Sequence, residues 1–242
     1  MGTLNAGLPR IYGAFPSLHL SRLAELQYLS VESELLDDPC LPAVEVARTY
    51  RELHSTHRLL GNTAAVLHLL RQDPIPVRRV LDVGCGHGAL LHDIRRLLGA
   101  EVIGFDLRPP PAAAPVPILI GDAVTDPLPR ADVAVAVCLA HHLSEGNLMQ
   151  LIRNVSRSCR RFVVLDLVRH RLPLALFRTF VYPLVSNVTA KDGVTSIRRS
   201  YTPTELRRIV DAALDGSGGV VRHTVAPCYI RQVVDISWPV RT

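Results

Sequence analysis

Apolar positions along this chain switch between two periods, and the switches mark its elements. Val80, Leu81 and Val83 form a short apolar run that stops at three glycines, as a buried strand of a parallel sheet does. Beyond the glycines, Ala89-Leu-Leu-His-Asp-Ile-Arg-Arg-Leu-Leu98 places apolar residues at helical spacing, and Gly99 is a natural stop. The same reading predicts strands near 78–83, 101–105, 117–120, 132–139 and 161–167, with helices near 88–98 and 145–158 between them. Strands alternating with helices pack as a parallel sheet. Thr202-Pro203-Thr-Glu205 is a capped start with proline at the first helical position, predicting a helix to about Leu214. Gly216-Ser-Gly-Gly219 and two β-rich segments then close the sheet as an antiparallel hairpin.

Ahead of the sheet, Leu18 to Ser30 and Ala43 to Leu70 carry helical periodicity on either side of the Asp37-Asp-Pro-Cys-Leu-Pro42 break. Residues 1–76 are therefore expected as a helical cap and residues 77–242 as the sheet domain. The first 16 residues have turn composition and no assigned role. The prolines of Arg108-Pro-Pro-Pro-Ala-Ala-Ala-Pro-Val-Pro117 forbid a regular helix and predict an extended loop. Leu172 to Val185 is unusually apolar for an insertion. Its aromatics Phe177, Phe180 and Tyr182 suit a lipophilic pocket or lid, and burial in a homodimer explains them nearly as well. Asp192 to Tyr201 is expected as a loop, with Lys191 in a solvent turn and Arg198, Arg199 and Tyr201 near the same mouth. No internal repeat is evident.

Composition narrows the classes. With 242 residues and 48% hydrophobic content, the chain can fill the core of one α/β domain. No apolar run nears the roughly 18 residues that span a bilayer, and the first residues lack a hydrophobic signal core, so a cytoplasmic protein without stable membrane insertion is expected. Five scattered cysteines without a Cys-x-x-Cys pair predict reduced, mostly buried thiols. The net charge of +5 raises nucleic acid as a partner, yet the basic residues are dispersed and no aromatics interleave them. No nucleic-acid partner is expected. Lys191, the sole lysine, makes pyridoxal chemistry improbable. His54 and His57 share a helix face but lack a third ligand nearby in sequence, so no metal is expected.

The glycine turn locates ligand chemistry. Gly84, Gly86 and Gly88 tolerate positive φ and let a ligand lie against bare backbone. Gly84-x-Gly86-x-x-Ala89 alone also fits a relaxed dinucleotide fingerprint. Asp82, two residues ahead, repels a pyrophosphate but suits a ligand bearing an ammonium group, as S-adenosylmethionine does. Asp106, closing the strand Glu101-Val-Ile-Gly-Phe-Asp106, can accept both ribose hydroxyls, a property an NAD site shares. Asp122, after Ile118-Leu-Ile-Gly, can accept an adenine amino group while the Ala123 amide meets the ring.

Asp82 with the glycine turn, Asp106, Gly121-Asp122 and the strand Asp132-Val-Ala-Val-Ala-Val-Cys-Leu139 together resemble the class I S-adenosylmethionine-dependent methyltransferases over roughly residues 77 to 240. The resemblance implies an α/β, Rossmann-like methyltransferase fold with a mostly parallel sheet, a C-terminal antiparallel hairpin and an N-terminal helical extension. It implies S-adenosyl-L-methionine as cofactor, with Asp82, Gly84, Cys85, Gly86, Gly88, Asp106, Leu107, Asp122, Ala123 and Leu139 as the cofactor-binding set. An NAD(P)-dependent oxidoreductase and a catalytically silent partner subunit are the competing readings.

Ligands of open α/β sheets lie beyond the carboxyl ends of the strands. That places His141 and His142, then Asp166, Arg169 and His170, at the acceptor. His141 or His142 is the candidate general base, His141 the preferred one. Arg169 could hold an anionic or carbonyl-bearing acceptor. His54, His57, Arg58 and Asn62 of the N-terminal helices are further candidate contacts. Taken with Glu34-Leu-Leu-Asp-Asp-Pro39, Leu59-Leu-Gly-Asn62 and His141-His-Leu143, the 172–201 stretch is similar to bacterial small-molecule methyltransferases associated with polyketide synthase genes. That similarity implies a lipophilic phenolic, polyketide or quinone-like small-molecule substrate, methylated on oxygen, with carbon as the alternative.

Overall fold

The computed structural model describes residues 34–38, 40–110 and 114–239. The helix predicted over 18–30 and the first 16 residues lie outside them. A single 3-10 turn, Leu35–Asp37, precedes helices α1 (Ala43–Leu59) and α2 (Asn62–Arg71). There follow β1 (Arg79–Val83), α3 (Ala89–Leu98), β2 (Glu101–Asp106), β3 (Ile118–Ile120), β4 (Ala131–Val137), α4 (Glu145–Ser158) and β5 (Cys159–Asp166). The chain ends with α5 (Arg171–Leu176), α6 (Asn187–Arg199), α7 (Pro203–Leu214), β6 (Val220–Val225) and β7 (Gln232–Ser237).

The strands form one sheet in the order β3-β2-β1-β4-β5-β7-β6. The first five run parallel, whereas β7 pairs antiparallel with both β5 and β6, the predicted hairpin. Side-chain alternation divides the core into two layers. Leu81, Ala134, Phe162 and Val164 pack under α4 and α7 with Leu151, Ile152, Leu206 and Ile209. Val80, Val133, Val163 and Leu165 face the other way, against Leu91 and Ile94 of α3 and Val66, Leu67 and Leu70 of α2. Helix α2 thus belongs to the same core as the sheet.

Two elements and the burial of the cysteines depart from the sequence-based expectation. The 43–70 segment is two helices, because Gly61 adopts φ 75° and the Leu60 carbonyl accepts from the Arg231 guanidinium at 2.6 Å instead of continuing the helix. The expected loop at 192–201 is mostly the helix α6, and only Lys191 of the supposed solvent turn is exposed. Its inward face is mixed: Thr189, Asp192, Thr195 and Ser196 are buried beside Ala190, Val194 and Ile197, so much of the helical period is carried by residues that usually mark loops. Among the cysteines, Cys40 and Cys228 are exposed and only Cys159 is fully buried; all five are free thiols. The described part of the 107–117 segment contains no helix, as its prolines require.

Candidate active site

Strand β1 delivers its chain directly into the glycine turn. Gly84, Gly86 and Gly88 have φ of 72°, 55° and 81°, values that disfavour any side chain. A Cβ on Gly84 would stand 2.8 Å from Leu139 Cδ1, and one on Gly86 would stand 2.8 Å from Tyr50 Cε1. Bare backbone is therefore required by conformation and by space. Asp106, at the end of β2, grips this loop: Oδ2 accepts from the Gly86 N–H at 2.7 Å and Oδ1 from the Arg108 N–H at 3.0 Å. Asp122, just beyond β3, accepts from the Val124 N–H at 2.9 Å. Asp82 is buried, and burial followed by the charge of Asp106 raises its carboxyl well above the ordinary range. A cation beside it would reverse that shift. Burial and the same two carboxylates push the Cys85 thiol up, which removes it as a nucleophile at neutral pH.

Strand β4 ends two residues earlier than expected, because Cys138 turns the chain at φ 56°. The turn sets Leu139 over Gly84 and starts the 3-10 turn Ala140–His142. Asp166, the last residue of β5, accepts from the His141 backbone N–H at 2.9 Å and lies 2.6 Å from its ring Nδ1. His141 Nε2 then faces Glu34 Oε1 at 3.6 Å, and His142 Nε2 lies 3.7 Å from the same oxygen. The Ser196 hydroxyl donates to Glu34 Oε1 at 2.5 Å, and both oxygens of Asp192 accept from the backbone of Leu35 and Leu36. Helix α6 thereby fixes the turn that carries Glu34. The ligand atoms of Glu34, His141 and His142 all lie within 4.8 Å of one another, close enough to share a metal ion.

Burial disfavours charge on His141, but the Asp166 carboxylate and then Glu34 outweigh it and hold the imidazole up at about 9. Glu34 is held down at about 2: burial opposes its ionisation, and His141 and His142 more than offset that. At neutral pH His141 is therefore an imidazolium, which donates a proton instead of taking one. The preference for His141 as general base needs that revision.

A cavity of about 520 Å³ joins the two ends. The predicted cofactor set lines it, Gly88 excepted, and so do His141 and His142. Gly88 instead starts α3, where a Cβ would meet Val116 Cγ2 at 2.6 Å. His54, His57 and Asn62 reach the wall, whereas Arg58 does not. His57 accepts from the Asn62 amide at 2.9 Å and, driven down to about 4 by burial, is neutral. Phe177 and Arg199 line the cavity; Phe180 and Tyr182 are exposed outside it.

Other expected acceptor contacts turn out to hold the fold. Arg169 is buried against Glu205, the residue that closes the α7 capping box. His170 caps α5 and stacks on Tyr229 at 4.3 Å between ring centres. Tyr201 is buried and donates to the Leu143 carbonyl at 2.6 Å. Asp166 acts through His141, not on the cavity. Sequence reasoning assigned no role to Glu34, Tyr50, Asp192 or Ser196; Glu34 stood in the 34–39 segment and Asp192 and Ser196 in the expected 192–201 loop, but no spacing linked any of them to residue 141.

A family model described as a methyltransferase domain matches residues 80–161. No curated protein sequence matches the chain. Among solved structures, the plantazolicin methyltransferase BpumL in complex with SAH is similar at TM-score 0.63 and 14% identity, covering 84% of this chain and 92% of that one. Human N-acetylserotonin methyltransferase in complex with SAM gives TM-score 0.55 and 17% identity over 81% of this chain and 57% of that one. The methyltransferase domain of bacterial CtHen1-C gives 0.53 and 16% over 74% and 97%. At these identities the likeness is one of fold. No helix among the described residues is long and apolar enough to cross a membrane.

Proposed function

Residues 80–161 being a methyltransferase domain, we propose that the protein transfers a methyl group from S-adenosylmethionine to a lipophilic small molecule, on oxygen. The observation that carries this reading is the single cavity in which the glycine turn and three acidic strand ends share a wall with the Glu34–His141–His142 cluster. S-adenosylmethionine supplies an electrophilic methyl whose departure leaves a neutral thioether. Asp106 retains carboxylate lone pairs for the ribose hydroxyls, Asp122 and the Ala123 amide stand for the adenine, and Asp82 meets the ammonium. Cys85, Leu107 and Leu139 fill the space around them.

The acceptor side is apolar where Leu36, Leu53, Leu143, Phe177 and Ile197 face the cavity. Such a wall selects a greasy molecule and excludes water, and alignment with water exclusion supplies much of the rate of an in-line displacement. His141, charged between Asp166 and Glu34, steadies an oxygen that is losing its proton, and His142 on the cavity wall is placed to take that proton. Calorimetry tests the reading: S-adenosylhomocysteine should bind at one per chain with no saturable heat from NADH or NADPH. Binding of a nicotinamide nucleotide in place of S-adenosylhomocysteine would overturn it. Mass spectrometry of extracts incubated with enzyme and isotopically labelled S-adenosylmethionine identifies the acceptor.

A further inference from the structure

We propose that Glu34, His141 and His142 bind one divalent transition-metal ion at the acceptor end of the cavity. Two imidazole nitrogens and one carboxylate oxygen are a donor set suited to zinc, iron and similar ions. The Nε2 atoms stand 3.6 and 3.7 Å from Glu34 Oε1, too long for hydrogen bonds. They are close to the roughly 3.3 Å edge of a tetrahedron whose metal–ligand distances are about 2.0–2.1 Å.

An independent observation points the same way. His141 Nε2 has no hydrogen-bond partner among the described residues, although its side chain is only 2% exposed. A buried nitrogen without a hydrogen bond is costly, and a metal ion that displaced its proton would fit its position between a carboxylate and a second imidazole. The outer contacts are those of a ligand set as well. Asp166 holds the opposite ring nitrogen at 2.6 Å, which fixes Nε2 as the ligating atom, and Ser196 orients the carboxylate.

Three protein ligands leave a coordination position open, and all three residues line the cavity. On the methyltransferase reading, that position takes an acceptor oxygen, and the two imidazoles then serve as ligands instead of proton carriers. Binding of the ion itself does not depend on that reading.

Untagged, chelator-stripped full-length protein titrated calorimetrically with zinc or manganese chloride should take up one ion per chain, with cobalt absorption reporting imidazole ligation. His142→Ala and Glu34→Gln should each weaken binding at least about hundredfold, and Asp166→Asn about ten- to hundredfold. His223→Ala, on β6 and bonded to Gln232, controls for adventitious histidine binding and should change nothing. Circular dichroism checks the fold of each variant, and His142→Ala, at a part-exposed side chain, decides the matter if Glu34→Gln unfolds. Absence of saturable binding, or wild-type affinity in both ligand variants, would overturn the site. S-adenosylhomocysteine binding on the same samples separates the two readings: cofactor bound without metal removes only the ion site, and metal bound without cofactor removes only the methyltransferase.

Discussion

The glycine end of the cavity is made of backbone, with Gly84 and Gly86 at positive φ and Asp106 tied to the loop it faces. The histidine end is made of side chains brought from residues 34, 141, 142, 166 and 196, each held by a partner far away in sequence. A backbone cradle has no tolerance for an added atom. A side-chain cluster can lose its chemistry while the fold around it survives.

Substitutions at the two ends should therefore fail in different ways. Gly86→Val is expected to have the largest effect, because its Cβ collides with Tyr50 and its φ of 55° suits no β-branched residue. Calorimetry should show S-adenosylhomocysteine affinity falling more than about hundredfold. Next, Asp106→Ala removes a carboxylate from two backbone donors and from the proposed ribose contact, for a loss of about thirtyfold, or ~2 kcal/mol, in the same measurement. Cofactor affinity unchanged by either would dissolve the contrast.

At the histidine end, Asp192→Ala frees the amides of Leu35 and Leu36 and should cost about 2 kcal/mol, read as a melting temperature lower by about 5 °C. Cofactor affinity should stay within about threefold, since the sites are independent. The smallest effect is expected from Glu52→Gln, which weakens the link between α1 and the start of α6. Glu52 accepts from Thr189, Ser186 and Arg48, and these bonds overcome burial to hold its carboxyl at about 2. Its stabilisation is complete above the ordinary carboxylate value near 4.5 and fades as pH falls from there toward 2. The melting temperatures of wild type and Glu52→Gln should differ by the equivalent of about 1–2 kcal/mol at pH 7 and converge in acid. A constant gap across pH would assign the difference to packing.

The same contrast explains what could be read in advance. The strand–glycine–helix unit from Val80 to Leu98 is a local pattern, and so is the capping box at Thr202 and Glu205; both stand where periodicity and turn chemistry put them. Helix α6 was hidden because polar Thr189, Asp192, Thr195 and Ser196 interrupt its buried stripe, and Gly193 in its middle is needed for space: a Cβ there would stand 2.2 Å from Phe177 Cζ. Arg169 looked like a substrate clamp, yet its partner Glu205 lies 36 residues on, a pairing no spacing rule announces. Glu34 is the extreme case, held at its site by Ser196 and, through the neighbouring Leu35 and Leu36, by Asp192, all pairs more than 150 positions apart.

Asp192 offers its two oxygens to successive amides, and so it clasps the Glu34 turn at two adjacent points, which let go together or not at all. Widening the cavity for a bulkier guest by swinging that turn aside means surrendering both contacts and carrying Glu34 away from His141 and His142 in the same movement. On the proposed function, acceptor size and reactivity are consequently yoked: whatever loosens the Glu34 turn also disarms the cluster.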